Sequence, residues 1–239
     1  MNVNSNAYTF GFAALMVVVV AAALSLVATT LKPMQDENVE KEKMQNILSS
    51  IQVNVDREKA ATIYSDYIKK ELVISNDQLV EGIDAFNVDM VKEVRVGNGE
   101  RNAPLYVAEK DGSTFYVIPL QGTGLWGPIW GYISLEEDLS TVYGAVFDHK
   151  AETPGLGAEI KTPVFTDQFP GKRILDDNGN FLGIDVRKGD ASNTYQVDGI
   201  SGGTITSDGV ELMILDCLQS YFPFLQQYAG ATASAQLIK

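Results

Sequence analysis

Cysteine and histidine are nearly missing from this chain, with one of each among 239 residues. Lone Cys217 rules out an internal disulfide, and iron–sulfur ligation by this chain alone is excluded because such clusters need several thiolates. A single histidine, His149, argues against a histidine metal site and against a Ser-His-Asp relay, and leaves a structural hydrogen bond as its expected role. Positive charge is scarce as well. Eighteen Lys and Arg face 31 Asp and Glu, a net charge of −13, so phosphate backbones are repelled and nucleic acid is not an expected partner. Also missing are a Walker motif and any Gly-x-Gly-x-x-Gly after a strand-like run, so no dinucleotide site is expected here.

Charge of either sign is absent from residues 10–31, and the core of that run, from Leu15 to Leu24, is uniformly apolar. As a helix rising about 1.5 Å per residue it spans roughly 33 Å, enough for a bilayer core of about 30 Å. A single membrane helix is the direct reading. A cleaved signal peptide is the rival, because small residues near Ala28 resemble a processing site, but residues 1–9 lack the basic start that such a peptide needs. Lys32, Lys41 and Lys43 follow the helix and no Lys or Arg precedes it, a bias that mildly favours a cytoplasmic soluble domain. The organisation expected is a short segment 1–9, a membrane helix 10–31, a helical linker and start of the soluble domain 32–87, and one domain 88–239 of the α+β class.

Within it, residues 32–54 read as a charged helix leaving the membrane and 56–72 as an amphipathic helix capped by Asp56. Short β-type runs follow at 105–108, 115–120, 129–135 and 142–147, with a hairpin at Asp111-Gly112 and a second hairpin turned by Asp176-Asp177-Asn178-Gly179 between Ile174 and 181–186. That acidic turn lacks the terminal Glu of an EF-hand and reads as a plain turn. Near the C-terminus Val210, Met213, Ile214, Cys217 and Tyr221 recur at helical spacing, with Ser207 expected to cap the first turn and Pro223 to close the run.

Ahead of that helix lies Asp198-Gly199-Ile200-Ser201-Gly202-Gly203-Thr204-Ile205-Thr206-Ser207. Its glycines permit a tight turn and close approach of a ligand, Thr204 projects at the mouth, and the free N–H groups of the helix start favour a phosphate. Asp208 and Glu211 would oppose a dianion, so a phosphodiester carrying one charge fits better. Upstream stand Gly124-Leu125-Trp126-Gly127 and, after His149, Glu152-Thr153-Pro154-Gly155-Leu156-Gly157. A flat aromatic ring needs apolar faces, which Leu125, Trp126 and Leu156 supply, and a polar edge, which Glu152 and Thr153 supply. The plain alternative is a core or interface role for Trp126 and Trp130 and a simple turn at Pro154-Gly155.

The Ser-Gly-x-Thr segment resembles the flavinylation motif of the FMN-binding domain family. Together with the Gly-Leu-Trp element and the Glu-Thr-Pro-Gly-Leu-Gly run, it is similar to the C subunits of sodium-translocating NADH:quinone oxidoreductases. The resemblance implies FMN joined covalently through its phosphate to Thr204, with Asp198, Ser201 and Gly202 as recognition residues; Gly203 stands where the family has alanine. It also implies an electron-relay role among the other subunits of a membrane complex, a flavin transferase as maturation partner and membrane lipid around the anchor. The family places its flavin domain on the extracytoplasmic side of the inner membrane, against the charge bias. A G-type subunit of an Rnf electron-transfer complex and a cofactor-free anchored scaffold are the alternatives.

Overall fold

A computed structural model describes residues 5–97 and 100–228; residues 1–4 and 229–239, the ends of the expected first and last segments, lie outside it. The chain divides into two compact units, Met1–Lys43 and Met44–Lys239. Helix α1 runs from Asn6 to Ser50 as one element, through Pro33. Its N-terminal stretch is long and apolar enough to cross a membrane. Thr29 and Thr30 turn their hydroxyls back onto the carbonyls of Ser25 and Leu26, both at 2.8 Å, so these two hydroxyls are satisfied within the helix. The expected separate helix at 32–54 is the continuation of α1. Proline removes only one internal bond, and the exposed pairs Lys32–Asp36 and Lys41–Glu37 bridge successive turns.

The second unit begins with a short 3₁₀ turn, Arg57–Lys59, and α2 (Ala60–Tyr67), and then turns to strand: β1 (Ile68–Ser75) and β2 (Gln78–Val80). The helix expected over 56–72 therefore ends at Tyr67, and Asp56 makes no side-chain cap. Asn76 and Asp77 sit at φ 51° and 58°, the left-handed pair that a two-residue hairpin demands. Helix α3 (Met90–Glu93) leads to β3 (Ala103–Lys110), β4 (Ser113–Thr123), β5 (Pro128–Leu135) and β6 (Val142–His149), the four strands expected from the sequence. The sheet order is β2-β1-β3-β4-β5-β6, antiparallel throughout. Asp111 and Gly112, at φ 52° and 82°, turn the β3–β4 hairpin.

Both faces of this sheet are covered, which is why β3 and β4 read as unbroken apolar runs rather than alternating ones. Leu105, Val107, Tyr116, Ile118 and Leu120 face one cluster with the C-terminal helix. Tyr106, Ala108, Phe115 and Val117 face another with Ile47, Leu48, Ile51 and Tyr64. After β6 come a 3₁₀ turn, Gly157–Lys161, and α4 (Pro163–Thr166). A small parallel pair, β7 (Asp185–Arg187) and β8 (Gln196–Asp198), precedes α5 (Thr204–Tyr228). At Asp176–Gly179 a turn closes with a single bridge, Leu175 to Phe181.

Helix α5 buries the expected stripe of Val210, Met213, Ile214, Cys217 and Tyr221. Two details differ from expectation. The helix starts at Thr204, so Ser207 lies inside it and its hydroxyl accepts from the Ile200 N–H at 2.9 Å, pinning the preceding turn rather than capping. It also passes Pro223, because that residue is exposed while Phe224 and Leu225 beyond it are buried and hold the last turn down. At Gly209 a Cβ would stand 2.5 Å from the Thr123 carbonyl. Glycine there lets the first turns of α5 lie directly on the end of β4, beside the loop to β5.

Candidate functional site

Three segments distant in sequence meet where α5 begins. The β4–β5 loop 124–127 is closed by the Gly124 N–H donating to the Gly127 carbonyl at 2.8 Å. The segment after β6 folds back on itself, with the Thr153 carbonyl accepting from Leu156 and Ala158 N–H. The turn after β8 closes through Gly203 N–H to the Ile200 carbonyl at 2.9 Å, with Gly202 in the left-handed region at φ 76°. Asp198 anchors this turn from below, its carboxylate accepting from the Ala191 N–H at 2.9 Å and its backbone paired with the Gln168 amide.

Glu152 joins the three. One carboxylate oxygen accepts from the Trp126 N–H at 2.8 Å and the other from the Thr206 hydroxyl at 2.6 Å, and the residue is only 5% exposed. Its own N–H donates to Nδ1 of His149 at 3.2 Å, the structural bond expected of that histidine. At the glycines flanking this hub an added side chain would force the hub to shift. A Cβ on Gly157 would lie 2.4 Å from the Thr206 hydroxyl and 2.5 Å from a Glu152 oxygen, and one on Gly124 would lie 2.7 Å from the other oxygen. Glu152 was expected to offer its carboxylate to a ring edge; each of its oxygens accepts one bond from within the protein.

The two threonines of the turn are sorted by the same contact. Thr206 is 1% exposed with its hydroxyl engaged, whereas Thr204 is exposed at the first position of α5. Thr204 borders a cavity of about 280 Å³, lined by Val186–Gly189 on one side and by Gly199–Gly202, Ser207 and Asp208 on the other. Of the residues singled out from sequence, Ser201, Gly202 and Thr204 line it. Leu125, Trp126, Glu152, Thr153 and Leu156 do not; they lie on the other flank of the turn, where Leu156 approaches so closely that a Cβ on Gly202 would be 2.8 Å from its Cδ2. Gly203 is buried between the flanks.

Arg187 and Lys188 are cavity residues that sequence reasoning passed over, since only the pairing of β7 with β8 brings them beside the turn. Arg187 is engaged by Asp185 at 3.2 Å and Asp190 at 3.5 Å, neighbours that raise its pKa. Lys188 has no ion-pair partner among the described residues. Glu211, expected to oppose a phosphate, is turned away to accept the Val186 N–H at 2.7 Å, and burial pushes its carboxyl up. Asp208 remains at the cavity wall.

The FMN-binding domain model matches residues 124–219, the stretch from the Gly-Leu-Trp loop to α5. The C subunit of the Na(+)-translocating NADH-quinone reductase of Pasteurella multocida is 33% identical over 232 residues, covering 86% of this chain and 88% of the relative. The chain belongs to this family of C subunits. A crystal structure of the family's member from Parabacteroides distasonis is 45% identical, covers 82% of this chain and 96% of that one, and superimposes with a TM-score of 0.76. NqrC of Shewanella oneidensis, at 24% identity, shares the fold with a TM-score of 0.65.

The residues present suit an FMN. A phosphate placed in this cavity would meet the start of α5 and the Lys188 cation, which lines it together with Thr204. Leu125, Trp126 and Leu156 are 49%, 64% and 42% exposed although they stand on a rigid, hydrogen-bonded frame. Large apolar side chains held outward by such a frame are what a flat ring system can cover.

Proposed function

We propose that this chain is the FMN-bearing subunit of a sodium-translocating NADH:quinone reductase complex, with FMN joined through its phosphate to Thr204. The observation that carries the attachment is the sorting of the threonines: Thr204 is open beside a cavity, while Thr206 is buried and bonded to Glu152. Bound FMN supplies reversible electron uptake and release. The chain's own residues hold it. Thr204 fixes the phosphate end, Lys188 offsets its charge against Asp208, Ser201 and Gly202 leave room in the turn, and Leu125, Trp126, Thr153 and Leu156 border the ring. The relatives favour this reading over an Rnf-type carrier or a cofactor-free scaffold.

The apolar part of α1 anchors the chain in the inner membrane, with the flavin domain on the extracytoplasmic side. Sodium movement belongs to partner subunits, since one membrane helix, with only Ser25, Thr29 and Thr30 as polar residues in its span, cannot line an ion path alone. A flavin transferase loads the cofactor. Intact mass of the chain coexpressed with such a transferase tests the attachment: one FMN per chain, lost in Thr204→Val, supports it, and flavin mass retained in Thr204→Val refutes it. Protease treatment of spheroplasts tests the side, with protection of the flavin domain until lysis restoring the orientation that the Lys bias suggests.

A further inference from the structure

Glu152 is an anionic side chain buried without a cation. Its two partners, a backbone N–H and a hydroxyl, are neutral, both oxygens act as acceptors, and no ion pair reaches it among the described residues. Burying a carboxylate with only dipoles for company is costly, and a glutamine could make the same two contacts without the charge, its carbonyl accepting from Trp126 and its amide donating to the Thr206 oxygen. A shape role alone therefore does not account for the carboxylate. Its position offers another. The loop it grips displays the Trp126 side chain outward, and the helix turn it grips carries Thr204 two residues away.

We propose that Glu152 is a positioning residue with an electrostatic duty: it locks the Trp126 loop against the first turn of α5, and its uncompensated charge holds the reduction potential of the FMN down. This rests on the reading that FMN sits on Thr204 with its ring toward Leu125, Trp126 and Leu156. A fixed negative charge opposes the arrival of electrons, and does so strongly in a poorly solvated site. The bond to Thr206 ties the charge to the attachment turn, so the ring-facing surface is formed before the cofactor arrives.

The test uses the full-length flavinylated chain in detergent. Glu152→Gln keeps both contacts and removes the charge; it is expected to load one FMN by intact mass, to keep the visible circular dichroism of the flavin and to shift its midpoint potential upward. A potential equal to or below that of the parent overturns the electrostatic role. Thr206→Val keeps the charge but removes a dipole that offsets it and one arm of the lock. The potential is expected to move downward and the flavin dichroism and fluorescence anisotropy to change, with Thr206→Ser restoring all three. Parent-like values in Thr206→Val overturn the proposal, and this variant decides alone if Glu152→Gln does not accumulate. Failure of the Thr204 attachment shows on a different readout, flavin mass retained in Thr204→Val, whatever the Glu152 variants do.

Discussion

Replacing each threonine of the attachment turn by valine separates chemistry from stability. Thr206→Val preserves shape but deletes a hydroxyl that donates to a buried carboxylate at 2.6 Å. A hydrogen bond to a charged group is worth about 1.5–3 kcal/mol, and the Glu152 oxygen left behind is buried away from solvent. At roughly 2–4 °C per kcal/mol for a unit of this size, the melting temperature should fall by about 3–12 °C. Thr204→Val touches an exposed position and should cost within about 0.5 kcal/mol. Unflavinylated protein, made without the transferase, gives the melting curves by far-ultraviolet circular dichroism, and coexpression with the transferase gives in-gel flavin fluorescence after denaturation. The expected pattern is crossed: Thr204→Val melts like the parent but carries no flavin, and Thr206→Val melts early but keeps it. Equal melting of the two variants would refute the buried hydrogen bond. Flavin lost from Thr206→Val and kept by Thr204→Val would refute the attachment.

Gly157→Ala should be among the most damaging small substitutions, since its Cβ would lie 2.4–2.5 Å from the Thr206 hydroxyl and the Glu152 carboxylate; a cost of about 1–3 kcal/mol is expected, checked by chemical denaturation, and parent-like stability would show that the hub yields. Lys188→Glu should slow flavin loading several-fold while Lys188→Arg does not, measured as initial rates with purified transferase at two salt concentrations; equal rates would remove Lys188 from the phosphate site. Burial pushes the Cys217 thiol up to about 11, so below that pH it should resist alkylating reagents in the native protein and react fully in denaturant. Rapid native labelling at about pH 8, near the ordinary thiol range, would contradict the packing of α5.

How far the fold was legible depended on whether the signal was local. Strands β3 to β6 announced themselves because each carries its own apolar run and the Asp-Gly turn sits between two of them. The stripe on α5 was equally plain. Residues 68–72 misled, because Lys69, Lys70 and Glu71 are good helix formers and are held as strand by pairing with β3, which is remote in sequence. Pro223 was overrated as a stop: it removes one backbone bond, and the continuing helix outweighs it. The three motif segments do meet at the start of α5, through Glu152, but which side chains turn inward could not be read from them. Nothing local says that Glu152 turns inward while Leu156 turns outward, and Lys188 enters only through the parallel β7–β8 pair.

The bonds of Glu152 span 26 residues to Trp126 and 54 to Thr206. Contacts of such separation carry a loop-closure cost and form late, after local hairpins and helices. The turn that presents Thr204 therefore gains its shape only when β4, β5, the segment after β6 and α5 have all come together, and α5 is the last described element to be synthesised. An enzyme that recognises this turn by its geometry reads a finished chain. Misfolded copies display the same ten residues without the frame around them, so on the proposed attachment cofactor loading would double as a proof of folding.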